Sequence, residues 1–299
     1  HAQILHNEEL VIIDLSSKGD QPFKDRNNRY HLIYNGEIYN YRNLRKTLKK
    51  KYNFKSKSDT EVLLYSFKEW GVNCISKLKG MFSFAIWDNQ DKTLYMSRDS
   101  FGQKQLYYFL DDNSIIVSSE IKPILKYKNI YQLNNFTISD YLLNNGYGLN
   151  NETFFKGINQ LPPGSYAVWN NGKLNISKYF FNQETSSFSE PNLNEAKKLL
   201  IDNINLHLQA DVKIGIALSS GLDSNAILAL VRKAKLKNKL VESFSIDFGN
   251  EFTEYNKVKN NLKKINCKLT RINFLPEDIA NNFEKLIYFN EAPIGGLMN

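Results

Sequence analysis

The chain has 299 residues, enough for two ordinary domains each with its own core. With 42% hydrophobic and 23% charged residues its composition is globular. No apolar run approaches the roughly 18–20 residues a membrane span needs, so no membrane partner is expected. The net charge of +8 is uneven, with +7 on residues 1–180 and +1 on residues 181–299.

Much of the excess lies between Arg42 and Lys57. Tyr41, Leu44 and Leu48 share a helical face there, which sends Arg45, Lys46, Lys49 and Lys50 toward solvent. No aromatic residues interleave these charges as a stacking surface would require, so nucleic acid is not an expected partner. Cys74 and Cys267 give neither metal spacing nor a disulfide framework; both read as buried small apolar residues in a reducing cytoplasm. The four histidines form no ligand cluster. No signal peptide is visible. With His1 at one end and Met298-Asn299 at the other, the sequence reads as a piece of a longer protein.

In chain order, strands are predicted at Leu10–Leu15, His31–Tyr34, Met81–Trp87, Thr93–Ser97, Leu106–Leu110 and Ser114–Ser118, punctuated by turn residues. Helices are predicted at Tyr41–Lys51, Asp59–Trp70 and Ile138–Leu143. Ser58 with Glu61 three residues on is a capping-box signal for the second. This mixture implies stacked antiparallel sheets with helices outside. The polar stretch 182–192 is the linker candidate between parts 1–181 and 193–299.

After it the pattern alternates. Helix Leu193–Leu208, strand Lys213–Leu218, helix Asn225–Lys235, strand Val241–Phe248, helix Glu254–Ile265, strand Leu269–Phe274 and helix Glu277–Tyr288 imply an α/β parallel sheet. Its first strand runs into Ser219-Ser220-Gly221-Leu222-Asp223-Ser224. Small residues at a strand-to-helix junction let backbone amides face a phosphate, and ligands of such sheets bind beyond the strands' carboxyl ends. No Gly-Lys-Ser/Thr follows, so this is not a Walker A loop. An ordinary Ser/Gly turn capping a helix is the competing reading.

Further motifs stand in the first part: Asn35-Gly36-Glu37-Ile38-Tyr39-Asn40, Ser58-Asp59-Thr60-Glu61, and Gly80-Met81-Phe82 through Trp87-Asp88. Ser97-Arg98-Asp99-Ser100-Phe101-Gly102, Ser119-Glu120-Ile121-Lys122 and Leu161-Pro162-Pro163-Gly164 follow. With the Ser219–Ser224 loop, their order and spacing resemble the glutamine-hydrolysing asparagine synthetase family. The resemblance implies an α+β N-terminal-nucleophile hydrolase sandwich, followed by a truncated α/β ATP-pyrophosphatase domain.

It also implies site residues. Asn35 (side chain) and Gly36 (amide) would form an oxyanion hole, and Glu37 and Asp59 would hold the ammonium group of glutamine. The competing readings make Asn35-Gly36 a tight turn and Asp59 a complement to a helix N-terminus. The family's nucleophile is an N-terminal cysteine whose α-amino group acts as base; no Cys-Gly segment opens this sequence, so the chain as written is not expected to hydrolyse glutamine. Glu9 stands where the family places an arginine for the glutamine carboxylate, which implies poor use of glutamine.

In the second part, Leu218 and Ile246 would flank adenine, although Ile246 reads equally well as core. Ser219, Ser220, Gly221 and Ser224 would cradle pyrophosphate, and Asp223 would help hold Mg²⁺. The implied activity is ATP- and glutamine-dependent amidation of aspartate through an acyl-adenylate. A relative acting on another carboxylate, in surface-sugar or antibiotic synthesis, and an inactive ligand-binding relative are the alternatives. The implied partners are small molecules, and the resemblance allows a homodimer.

Overall fold

The computed structural model describes residues 2–4, 13–14, 16, 20–144, 150–180, 192–233, 241–249, 253–262 and 267–293. The chain divides into two compact units, residues 1–184 with 290–299, and residues 185–289.

The first unit begins with β1 (Ala2–Ile4), β2 (Phe23–Lys24) and β3 (Tyr30–Ile38), then α1 (Tyr41–Leu48), α2 (Asp59–Trp70) and a 3-10 turn (Gly71–Lys77). It continues through β4 (Gly80–Asp88), β5 (Thr93–Arg98), β6 (Tyr107–Leu110), β7 (Ile115–Ser118), α3 (Ile121–Lys128), α4 (Asn135–Asn144), β8 (Ile158–Gln160), β9 (Ser165–Asn170) and β10 (Lys173–Lys178). Six strands form one sheet in the order β10-β9-β5-β4-β3-β2, antiparallel throughout. Four form a second, β1-β7-β6-β8, in which β1 pairs with β7 in parallel. That one parallel pair departs from the all-antiparallel expectation.

Strand alternation stacks the layers. Ile33, Ala85, Leu94, Met96, Ala167 and Trp169 of the larger sheet meet Ile115 and Val117 of the smaller one in a shared core. The opposite face of the larger sheet turns Leu32, Tyr34, Phe82, Phe84 and Ile86 toward α1, α2 and the buried Cys74. On the far side of the smaller sheet, Ile116 and Tyr107 pack on Ile121, Ile124 and Leu125 of α3. The result is a four-layer arrangement with both sheets between helices.

Local chemistry explains where elements differ from expectation. Ser58 caps α2 by accepting from the Thr60 amide at 3.0 Å, but Glu61 does not complete a capping box. Its buried carboxylate takes the amides of Lys55 and Ser56 and the Ser56 hydroxyl instead, tying the preceding loop to the helix. Asn134 accepts from the Phe136 and Thr137 amides and so starts α4 three residues earlier than periodicity alone suggests. Arg45 is half-buried rather than solvent-facing, because its planar guanidinium stacks on Phe54 at 4.3 Å and donates to the Ser56 carbonyl.

The second unit contains α5 (Leu193–His207), β11 (Ile214–Ala217), α6 (Leu222–Lys233), β12 (Val241–Asp247), α7 (Tyr255–Leu262), β13 (Leu269–Asn273) and α8 (Pro276–Asn290). The three strands are parallel in the order β11-β12-β13. Leu208, Ile216, Leu218, Leu228, Val231, Val258 and Leu262 form the core, to which α6 and α7 contribute. Cys267 is half-buried, not fully so, with its sulfur 3.1 Å from the Ser243 hydroxyl. Of the linker candidate at 182–192, only Asn192 lies among the described residues; its side chain caps α5. Among the described residues, no helix is long and apolar enough to cross a membrane.

Candidate functional sites

Asn35, Gly36 and Glu37 lie within β3, not in a turn. Gly36 pairs with Phe82 of β4. Its φ of +144° and its packing both require glycine, since a Cβ there would sit 2.1 Å from the Met81 carbonyl oxygen. Asp59, in the first turn of α2, reaches back to bracket this segment. One carboxylate oxygen accepts from the Tyr34 hydroxyl at 2.7 Å and from the Ile38 amide at 2.9 Å. All four residues implied by the resemblance are thus gathered on one short stretch of sheet, with Asn35, Gly36 and Glu37 inside it and Asp59 bonded to its two ends.

The electrostatics are unusual for a strand interior. Glu37 and Asp59 are both buried. Burial raises the Asp59 carboxyl above its ordinary value, and the Ile38 amide and Tyr34 hydroxyl offset part of that. The Tyr34 hydroxyl is held well above its usual range by burial and by the Asp59 carboxylate, so it stays a donor. Burial, with Glu37 and Asp99 nearby, pushes Tyr39 up to about 12. A buried neighbourhood rich in carboxylate can take a cation. Glu9 lies outside the described residues.

The Arg98-Asp99 motif braces the strand opposite Gly36. Buried Arg98 donates to the carbonyls of Lys104 (2.7 Å), Leu161 (2.8 Å) and Gly102 (2.6 Å), and to the Gln105 side chain. Asp99 accepts from the amides of Phe101, Gln103 and Lys104, and from that of Phe82, the partner of Gly36. A Cβ on Gly102 would come within 2.9 Å of the Arg98 guanidinium, so that glycine makes room for it. Arg98→Met strands the buried Leu161 carbonyl and two part-buried ones, and at ~1–3 kcal/mol for an unsatisfied buried group the expected loss is about 1–3 kcal/mol in chemical denaturation.

In the second unit, the Ser219–Ser224 loop follows β11 at the carboxyl end of the parallel sheet. Helix α6 begins at Leu222, earlier than expected, so Asp223 and Ser224 sit inside its first turn. The Ser224 hydroxyl and the Asn225 amide group bond the carbonyls of Ser219 and Gly221, which ties those oxygens to the helix. The amides of Ser219, Ser220 and Gly221 meet Ser224 Oγ (3.2 Å), a Glu254 carboxylate oxygen (2.8 Å) and Ser219 Oγ (3.2 Å). Asp223 is exposed. The Leu218 side chain belongs to the core, whereas Ile246, at 48% exposure, is not core and offers apolar surface on the strand next to β11.

The loop could present backbone amides to a phosphate, and the exposed Asp223 carboxylate could contribute to an Mg²⁺ site. The Ser220 amide already holds an ionised oxygen, and an exposed carboxylate such as Asp223 suffices for an ion that takes its remaining ligands from phosphates and water. Among the described residues no cluster of three or more His, Cys, Asp or Glu could hold a metal by itself. Sequence reasoning missed Tyr34 and Glu254. The first is an apolar-face residue of an ordinary strand pattern, and the second is distant in sequence from its partner, so neither carries a local signal.

Residues 1–180 match the family "Glutamine amidotransferase domain" and residues 195–299 match "Asparagine synthase". The chain is 31% identical over 95% of its length to an asparagine synthetase (glutamine-hydrolyzing) 1 of Bacillus subtilis, covering 45% of that protein. It is 30% identical to a putative asparagine synthetase (glutamine-hydrolyzing) 2 of Methanocaldococcus jannaschii, over 97% of this chain and 60% of the relative. It is 28% identical to the amidase chyE of Penicillium rubens, over 98% of this chain and 46% of the relative. The chain thus spans about half the length of the curated relatives it matches. It belongs to the glutamine amidotransferase domain family, with an asparagine synthase portion following that domain.

Proposed function

We propose that the complete protein is a glutamine-dependent ligase that forms an amide on a small carboxylate, with aspartate as the first candidate. ATP would be split into AMP and pyrophosphate. The observation that carries this reading is the Ser219–Ser224 loop, at the carboxyl end of the first strand of a parallel sheet, whose Ser220 amide is turned to the Glu254 carboxylate.

In the first unit, Asn35 and Gly36 would face the oxyanion formed at the glutamine carboxamide, and Glu37 with Asp59 would hold the ammonium group. In the second, Ile246 and the backbone at Leu218 would flank adenine. Ser219, Ser220, Gly221 and Ser224 would receive pyrophosphate. Asp223 would hold Mg²⁺, whose charge offsets that of the phosphates. Adenylation gives the acceptor carboxylate a leaving group that ammonia can displace, and binding supplies the orientation.

Asp223→Ala in the full-length protein should lower ATP-dependent amide formation by about two to three orders of magnitude, the range for losing one group that offsets charge in a transition state. Glutamine hydrolysis should be spared. Product analysis is the complementary check: ADP and phosphate in place of AMP and pyrophosphate would exclude the reading. A second reading, amidation of a carboxylate other than aspartate, is favoured by the similarity to the amidases chyE and chry2. A panel of acceptor acids assayed for AMP release separates the two.

A further inference from the structure

Glu254 is not among the residues implied by the resemblance, yet it brings a charge onto the phosphate loop. Its carboxylate accepts from the Ser220 amide at 2.8 Å. The Ser220 amide, followed by the Ser220 side chain, holds Glu254 below the usual carboxylate range, so it is ionised at neutral pH. The neighbouring amides of Ser219 and Gly221 are taken by neutral serine oxygens. The backbone around Glu254 is fixed independently of the loop. Its carbonyl accepts from the Val258 amide at 3.0 Å in the first turn of α7. The preceding Thr253 bonds the buried Asp247 carboxylate, which also takes the Gly249 amide and pairs with Arg271. Glu254 is therefore delivered to the loop by its own scaffold.

Resting on the nucleotide-site reading above, we propose that Glu254 is a built-in competitor for the phosphate seat. It neutralises the Ser220 amide when the loop is empty and must swing away before a phosphate oxygen can take that donor. A carboxylate and a phosphate oxygen ask for the same N–H, and two anions do not share it. Glu254 then sets the affinity of the site and keeps it from filling with weakly bound anions. A glutamine at this position still offers a carbonyl oxygen to Ser220 without the charge, and an alanine offers nothing.

The test is calorimetric titration of the full chain with MgATP and, separately, with inorganic pyrophosphate. Wild type is compared with Glu254→Gln and Glu254→Ala, after circular dichroism has shown that each variant is folded. The expected order is tighter binding from Glu to Gln to Ala, with the alanine variant about tenfold tighter than wild type, the worth of one charge-assisted hydrogen bond released from the free state. Equal or weaker binding by both variants, with wild type binding normally, would overturn the competitor role and assign Glu254 to holding the loop or the metal instead. Absence of binding by wild type and both variants would overturn the nucleotide-site reading itself, and the proposal with it.

Discussion

Gly36→Ala is expected to cost about 4 kcal/mol or more, at the upper end of what single substitutions do. Two independent penalties meet at this position. The backbone is at φ +144°, which side chains disfavour. The new methyl would overlap the Met81 carbonyl oxygen at 2.1 Å and the Phe82 Cα at 2.7 Å. These are backbone atoms of the paired strand and cannot step aside as a side chain would, so β3 and β4 must separate where Asp99 pins the Phe82 amide. For a unit of this size, ~4 kcal/mol corresponds to a fall in melting temperature of roughly 8–16 °C. Gly71→Ala is the control. Gly71 also has a positive φ, +56°, with ψ at −143°, but a methyl there would meet nothing within 4 Å, so only the conformational cost of about 1–3 kcal/mol applies. Parallel thermal melts of the two variants that coincided would show that strand contact at Gly36 is not the cause.

How much of this is legible in sequence depends on whether the cause is local. Helix α2 is predicted to the residue because its signals are contiguous: Ser58 as cap, then Asp59 and Glu61 in the first turn. The strands of the larger sheet are legible through alternation, though β3 runs on through Asn35 and Gly36 to Ile38, where polar residues hide the pattern. Helix α3 escapes sequence reading; it has no side-chain cap and carries Pro123 in its first turn. The β9–β10 hairpin escapes it too, although Asn171-Gly172 between its strands, both at positive φ, is a usable signal. Site identities come from motif order, but the arrangement does not. The bond from Asp59 to Tyr34 spans 25 residues and the one from Glu254 to Ser220 spans 34, and no periodicity encodes either.

Asp59→Asn separates the structural and binding roles of that side chain. Burial raises the Asp59 carboxyl in the folded state, so the folded chain holds a proton more tightly than the unfolded one. The stabilisation this gives is fully present below the unfolded value and is lost as pH rises through the folded one. At pH 7 the native state therefore carries the cost of a buried carboxylate. Asparagine keeps an acceptor for the Tyr34 hydroxyl and the Ile38 amide while removing that cost, so the variant should be as stable as wild type at pH 7, or more so. If Asp59 holds the ammonium group of glutamine, the loss appears in binding. Removing one partner of a buried ion pair costs ~3–5 kcal/mol, which raises the KM for glutamine in the full-length protein by about two to three and a half orders of magnitude. Amide formation from free ammonia should stay near wild type, because that route bypasses the glutamine site. A variant with unchanged KM would leave Asp59 as a brace between α2 and β3, and a variant that lost stability at pH 7 would show that its charge, not its geometry, holds the strand.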